Sequence, residues 1–265
     1  MAGNPYHVIE RGAAGTIGWR IHYFDEVDST QKIAAEMAAA GAAQGTVVIA
    51  EAQTAGRGRL GRSWHSPPGL NLYQTIILRP QMPIAEVPRL SLVAGVAAAE
   101  ALETVAPGLV ALKWPNDVWL NGRKTGGIIA EAIANHAEQL DCVLLGIGIN
   151  VNLGISDFPE ELRTKATSVR IAIGRRCDRI ELAATLYQRL EARFQEAEAG
   201  RFASLMQVYE RYLALVGKRV TVVEGASRVA GVIEGVDGEG ALLLETDHGV
   251  ERILTGDVTI EGAYD

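Results

Sequence analysis

The chemistry this chain offers is concentrated in Ala55-Gly56-Arg57-Gly58-Arg59-Leu60-Gly61-Arg62-Ser63-Trp64, where three arginines alternate with three glycines before an indole. Glycine lets a backbone approach a ligand or take positive φ. Guanidinium forks suit phosphate and carboxylate oxygens, and Trp64 offers a flat face on which a base can stack. The stretch is expected to be a flexible anion-binding loop, although a solvated connector has a similar composition. Gly56-x-Gly58-x-x-Gly61 also matches a dinucleotide fingerprint, but that motif must open a helix directly after a strand. Ser63-Trp64-His65-Ser66-Pro67-Pro68-Gly69 cannot start one. The net charge of −7 opposes a general nucleic-acid patch.

Three further stretches carry ligand-competent side chains: Ser29-Thr30-Gln31 with the nearby Gln53, Lys113 to Lys124, and Gly146 to Asn152. Hydroxyls at a helix start serve both capping and polar-ligand binding. Lys113 and Lys124 bracket a turn and a hairpin, so their ammonium groups can converge with the arginines. Such a group of cations repels itself unless an anion joins it; a carboxylate and a polyphosphate are the natural guests. No Ser/His/Asp arrangement or paired His ligands accompany them, and the five histidines are scattered. Arg123-Lys124-Thr125 lacks the glycine spacing of a P-loop. An ATP site lined by Arg and Lys fits carboxylate adenylation, in which fixed cations and Mg²⁺ stabilise charge on the α-phosphate.

The elements that must hold these residues follow from periodicity. Trp19 to Phe24 predicts a strand, Asp28-Ser29-Thr30 starts a helix that stops at Gly41, and Thr46 to Ala50 feeds the arginine loop. Leu72 to Leu78 is a strand, and Arg89 to Val105 is a helix apolar nearly all round, hence buried. Val110 to Lys113 enters the Trp114-Pro115-Asn116-Asp117 turn, and Asn121-Gly122 marks a hairpin between Val118–Leu120 and Lys124–Ile133. Leu140 to Ile149 is another strand, residues 153–177 read as irregular, and two helices follow from Asp178 and over 201–214. Beyond Val216, four short β runs predict a small closed barrel. The expected fold is α+β: a mainly antiparallel mixed sheet with flanking helices over residues 1–215, and the barrel over 216–265.

A chain of 265 residues with 48% hydrophobic content supports one full core and a small second unit. Two distant cysteines suggest a reduced, cytoplasmic setting. No stretch is long and apolar enough to span a membrane, so no membrane partner is expected.

Taken in order, Gly56-Arg57-Gly58-Arg59-x-Gly61-Arg62-x-Trp64, Lys113-Trp114-Pro115-Asn116-Asp117, Lys124-x-x-Gly127-Ile128 and Gly146-x-Gly148-Ile149-Asn150-x-Asn152 resemble the biotin–protein ligases. The resemblance runs from about residue 22 to the end. It implies a class II synthetase-like catalytic fold with an SH3-like C-terminal barrel. The activity it implies uses biotin and MgATP to make biotinyl-5′-AMP, then passes biotin to a lysine of a biotin carboxyl carrier domain. Carried over by position, Ser29, Thr30, Gln31 and Gln53 hold the biotin head group; the family more often has Asn where Gln31 stands. Arg57, Gly58 and Arg59 cradle the biotin carboxylate and the adenylate phosphate. Trp64 covers adenine, Asn150 reads its amino group, and Lys113 and Arg62 handle the ATP phosphates. Lys124 is the expected catalytic cation, assisted by Arg59 and Lys113, and Asp117 either joins the Mg²⁺ shell or orients a lysine. Some members also bind DNA through an N-terminal helix-turn-helix. With only about 20 residues before the first strand, no DNA partner is expected here. A monomer and a strand-edge homodimer are both compatible with the sequence. A lipoate or octanoyl ligase and a biotin-sensing regulator are the rival readings.

Overall fold

The β-branched runs assemble into a seven-stranded mixed sheet in the computed structural model, which describes residues 4–10 and 16–260. Residues 1–3, 11–15 and 261–265, including both outer ends of the expected domains, lie outside the described residues. The first unit is a strand–helix–strand: β1 (Arg20–Val27), α1 (Thr30–Ala39) and β2 (Thr46–Gln53), with β1 and β2 parallel. Then come β3 (Leu72–Leu78), the buried helix α2 (Arg89–Glu103), β4 (Val110–Lys113), β5 (Asp117–Leu120), β6 (Arg123–Ala134) and β7 (Leu140–Ile149). The strand order is β1-β2-β3-β7-β6-β5-β4, antiparallel after the first pair. Asn121 and Gly122 both take positive φ, at 50° and 73°, as a two-residue hairpin with the right twist requires.

β3 is buried along its whole length, and its period of two sorts side chains between two faces. Leu72, Ile76 and Leu78 join the main core, where α2 packs with α4 (Arg179–Glu198) and α5 (Phe202–Tyr212). Ile77 joins Ala34, Ala38, Val48, Cys142 and Leu144 under α1 on the opposite face. Residues 153–177 are more ordered than their composition suggests. They hold two short 3-10 turns, at Ile155–Asp157 and Glu160–Leu162, and a brief helix, α3 (Val169–Ile173), capped by the Ser168 hydroxyl and ended by Gly174 at φ 75°.

The C-terminal strands are β8 (Arg219–Glu224), β9 (Ser227–Val236), β10 (Leu242–Thr246), β11 (Gly249–Ile253) and β12 (Asp257–Ile260). They form an antiparallel sheet in the order β11-β10-β9-β8-β12, with a bulge at Leu243/Leu244, which fits an SH3-like domain. The last strand is additional to the four runs legible in the sequence. This sheet is not a loose appendage: Val220, Leu242 and Leu244 share the main core, and Trp114 Nε1 donates to the Gly240 carbonyl at 3.0 Å. No helix among the described residues is long and apolar enough to cross a membrane.

Candidate active site

The site lies on the α1 side of the sheet, and its floor is made of glycines. Gly127 on β6 and Gly148 on β7 are cross-strand partners, and Gly146 pairs with Ile129. A Cβ at Gly148 would stand 2.8 Å from Trp64 Cε2, one at Gly127 3.2 Å from Trp64 Cζ3, and one at Gly146 3.0 Å from Gln31 Oε1. The spacing Gly146-x-Gly148 therefore has a steric cause. Alternate residues share one face of a strand, and removing both side chains lets an amide and an indole lie directly on the backbone.

Above this floor sits the start of α1. Ser29, Thr30 and Gln31 are all buried. Thr30 donates through both its N–H and its hydroxyl to Gln53 Oε1, at 2.9 and 3.2 Å, and accepts from Thr75 Oγ1 at 2.9 Å. Gln53 Nε2 donates to Ser66 Oγ at 3.1 Å. Ser29 caps the helix by position but not by a side-chain hydrogen bond. Its Oγ is buried without a partner, as are Gln31 Oε1 and Trp64 Nε1. Native interiors rarely leave such atoms unmatched, because each costs about 1–3 kcal/mol. Gln74 Nε2 is unmatched as well, so four such atoms line one pocket where a polar guest can meet them, while those of Tyr6, Trp19 and Trp119 lie elsewhere.

The arginine loop closes the opposite wall. It is a tight ring rather than an unsupported tether: Gly58 N–H donates to the Arg62 carbonyl at 2.6 Å, and Trp64 N–H donates to the Gly56 carbonyl at 2.9 Å. Leu60 and Gly61 make its tip, both at positive φ. The indole is half-buried against the glycine floor. Arg59 donates to the Gly256 carbonyl at 2.9 Å and to Asp257 Oδ1 at 3.2 Å, and Arg62 pairs with the other Asp257 oxygen. The C-terminal sheet thus supplies the counter-charge for two loop arginines.

Lys113-Trp114-Pro115-Asn116-Asp117 forms the remaining wall, with a cis bond before Pro115. Lys124 Nζ pairs with Asp117 Oδ1 at 2.6 Å and stands 5.6 Å from the centre of the Trp64 ring. The Lys124 backbone is clamped by residues 165–167: its N–H donates to the Lys165 carbonyl and its carbonyl accepts from Thr167 N–H. Burial holds the Lys113 ammonium below its ordinary pKa; Lys124 and Arg62 push the same way, while Asp117 and Asp257 oppose. A partly desolvated cation among cations is a place where an anion is strongly favoured.

Two connected spaces result, and both are lined by Gly58, Arg59, Trp64, Asn116 and Lys124. The narrower one, about 50 Å³, takes in Ser29, Thr30, Gln31, Gln53, Arg57 and the glycine floor. The wider one, about 310 Å³, holds Arg62, Lys113, Asp117, Asn150 and Asp257 with an apolar side of Phe158, Leu162 and Ala166. Asn150 donates through Nδ2 to the Thr167 carbonyl at 3.1 Å, which fixes its amide at the edge of the wider space. Every site residue expected from the sequence falls in one space or the other. Phe158, Leu162, Ala166 and Asp257 were not anticipated. The first three belong to a stretch without periodicity, and Asp257 lies about two hundred residues from its partners.

A model of the biotin/lipoate A/B protein ligase family matches residues 23–150, and a model of the biotin protein ligase C terminal domain matches residues 215–260. The chain is 38% identical over 244 residues to the bifunctional ligase/repressor BirA of Bacillus subtilis (strain 168), covering 92% of this chain and 75% of that one. It is 33% identical over 242 residues to the biotin–[acetyl-CoA-carboxylase] ligase of Paracoccus denitrificans, covering 89% of this chain and 98% of that one. The biotin protein ligase from Aquifex aeolicus in complex with biotin and ATP superposes with a TM-score of 0.79 at 31% identity, covering 91% of this chain and 97% of that one.

Proposed function

Because the chain belongs to the biotin/lipoate A/B protein ligase family, we propose that it is an ATP-dependent biotin–protein ligase. The observation that carries the reading is the junction of two unlike spaces: a narrow pocket with unmatched polar atoms opens into a cleft ringed by Arg59, Arg62, Lys113 and Lys124. A small polar head with a carboxylate tail fits the first, and a nucleoside triphosphate fits the second.

In this reading Ser29, Thr30, Gln31 and Gln53 hold the biotin ureido ring, and the valeryl carboxylate runs toward Arg57, Gly58 and Arg59. Adenine lies between Trp64 and the Phe158–Leu162–Ala166 side, and its amino group donates to Asn150. Arg62 and Lys113 take the polyphosphate. A carboxylate oxygen of biotin attacks the α-phosphorus, the bond to the β-phosphate oxygen breaks, and pyrophosphate leaves with the electron pair. Lys124 lines both spaces and so can neutralise the carboxylate and the α-phosphate while they approach. The amine of a carrier-domain lysine then attacks the acyl carbon, AMP leaves, and the amine proton passes to solvent.

Among the described residues no group of three or more His, Cys, Asp or Glu side chains is placed to hold a metal. A Mg²⁺ ion accompanying ATP would need only one or two protein carboxylates and would supply charge neutralisation at the phosphates. Asp117 already bonds Lys124, so we assign it to orienting that lysine. We place the catalytic unit at 1–215 and the C-terminal unit at 216–265.

Pyrophosphate–ATP exchange tests the function directly. Exchange is expected with biotin and not with lipoate; exchange with lipoate alone would establish the rival ligase.

The arginine loop is proposed to act as a lid that shields the mixed anhydride from water. Asp257 is its anchor, so Asp257→Asn is expected to raise trypsin cleavage at Arg57, Arg59 and Arg62 several-fold in the unliganded protein. Biotin plus MgATP should suppress cutting in both proteins by supplying substitute anions. Equal cutting of the parent and Asp257→Asn proteins would show that Asp257 does not hold the loop.

A further inference from the structure

We infer that Glu131 is a positioning residue for substrate selection: it turns the Gln31 amide so that the amide oxygen faces the pocket as a committed acceptor. The inference rests on the biotin reading above. Gln31 is 6% exposed, and its Nε2 donates to Glu131 Oε2 at 2.9 Å and to the Leu144 carbonyl at 3.4 Å. Both partners can only accept. A flipped amide would set its oxygen against a carboxylate and a carbonyl, so the chemistry of the neighbours decides which end is nitrogen.

With the nitrogen taken, Oε1 points away, buried and without a partner. It lies over Gly146, where even a Cβ would come within 3.0 Å. Ser29 Oγ, also buried and unmatched, lines the same pocket. A guest seated here must bring an N–H for Gln31 and a polar partner for the Ser29 hydroxyl, which can donate or accept. A cyclic urea has both; a dithiolane has neither. A site built around a committed acceptor rejects a guest lacking the donor, because the acceptor is then left buried and unpaired.

Glu131 is exposed on β6, at the rim shared with Arg57, Arg59 and Leu60. An exposed carboxylate has no need of Gln31 for its own solvation. What it supplies is an acceptor-only group at a fixed place. Glu131→Gln keeps the shape but adds a donor, so the closer of the two constraints is lost; only the Leu144 carbonyl at 3.4 Å then opposes a turned Gln31 amide that presents N–H to the N–H of the guest.

The test uses the full chain and titration calorimetry with biotin, desthiobiotin and lipoate. Glu131→Gln is expected to weaken biotin and desthiobiotin, which share the urea, about tenfold or more. Lipoate binding and the exchange rate at saturating biotin should change little, a split that a general loosening of the pocket would not give. Gln31→Ala should weaken biotin as well, and adding Glu131→Gln to it should cost nothing further, because Glu131 acts only through that amide. Unchanged biotin affinity in Glu131→Gln, or penalties that add in the double variant, would overturn the inference while tight biotin binding by the parent keeps the ligase reading. A parent that does not bind biotin overturns both.

Discussion

Lys124→Ala is expected to slow pyrophosphate–ATP exchange by about 10²-fold or more at saturating biotin and ATP, the scale for losing one fixed charge aimed at a transition state. Biotin affinity should fall much less. The asymmetry follows from position: Lys124 borders both spaces, whereas Ser29, Thr30, Gln31 and Gln53 border only the narrow one. Its charge therefore gains most when the carboxylate and the α-phosphate are drawn together, and least when biotin binds alone. The ammonium is also pre-aimed. Asp117 holds it at 2.6 Å, and the strand carrying it is clamped to residues 165–167. Single-turnover formation of biotinyl-5′-AMP, read beside a biotin titration, separates the two effects. A variant that forms the adenylate at the parent rate would remove Lys124 from the catalytic role.

The residues around this lysine differ in how far the sequence announces them. Arginines, glycines and an indole in one loop serve no core, so the loop declares itself by composition. The Asn121-Gly122 hairpin declares itself by backbone chemistry, since few other residues accept φ values of 50° and 73°. The buried α2 was legible because apolar residues cover almost its whole surface. Asp257 and Glu131 gave no such signal. Each is an ordinary surface acid until folding brings it to Arg59 and Arg62, or to Gln31, from a distant strand. The order in residues 153–177 was hidden for a related reason: short 3-10 turns and a five-residue helix are too brief to show a period. Strand β12 has four residues and no alternation long enough to read. The contacts the loop makes with Asp257, Gly127 and Gly148 are equally invisible in its own composition. Local pattern shows which residues have no structural reason to be there; what holds them in place is tertiary.

The glycine floor leads to the second large expected effect. Gly148→Ala adds one methyl group, yet its Cβ would lie 2.8 Å from Trp64 Cε2, 2.9 Å from Nε1 and 3.1 Å from Cζ2. Real Cβ contacts do not come so close, so either the indole lifts or β7 moves. β7 is hydrogen-bonded on both sides, to β3 and β6, and is the less able to yield. The indole therefore lifts, and it lines both spaces at once. Adenine loses its platform, and the Trp64 end of the arginine ring is pulled away from the pocket. Losing a base–aromatic stack costs about 1–3 kcal/mol, which corresponds to a roughly ten- to hundredfold loss of ATP affinity or adenylate retention. The melting temperature should change little, because Trp64 is half-buried and outside the main core. Tryptophan fluorescence offers an independent check, since a lifted indole becomes more solvated and its emission should shift to the red. The four tryptophans of the chain make the Trp64→Phe protein the necessary reference. If Gly148→Ala leaves ATP affinity and emission as they are in the parent, the indole does not depend on the glycine floor and the lid must be held in another way.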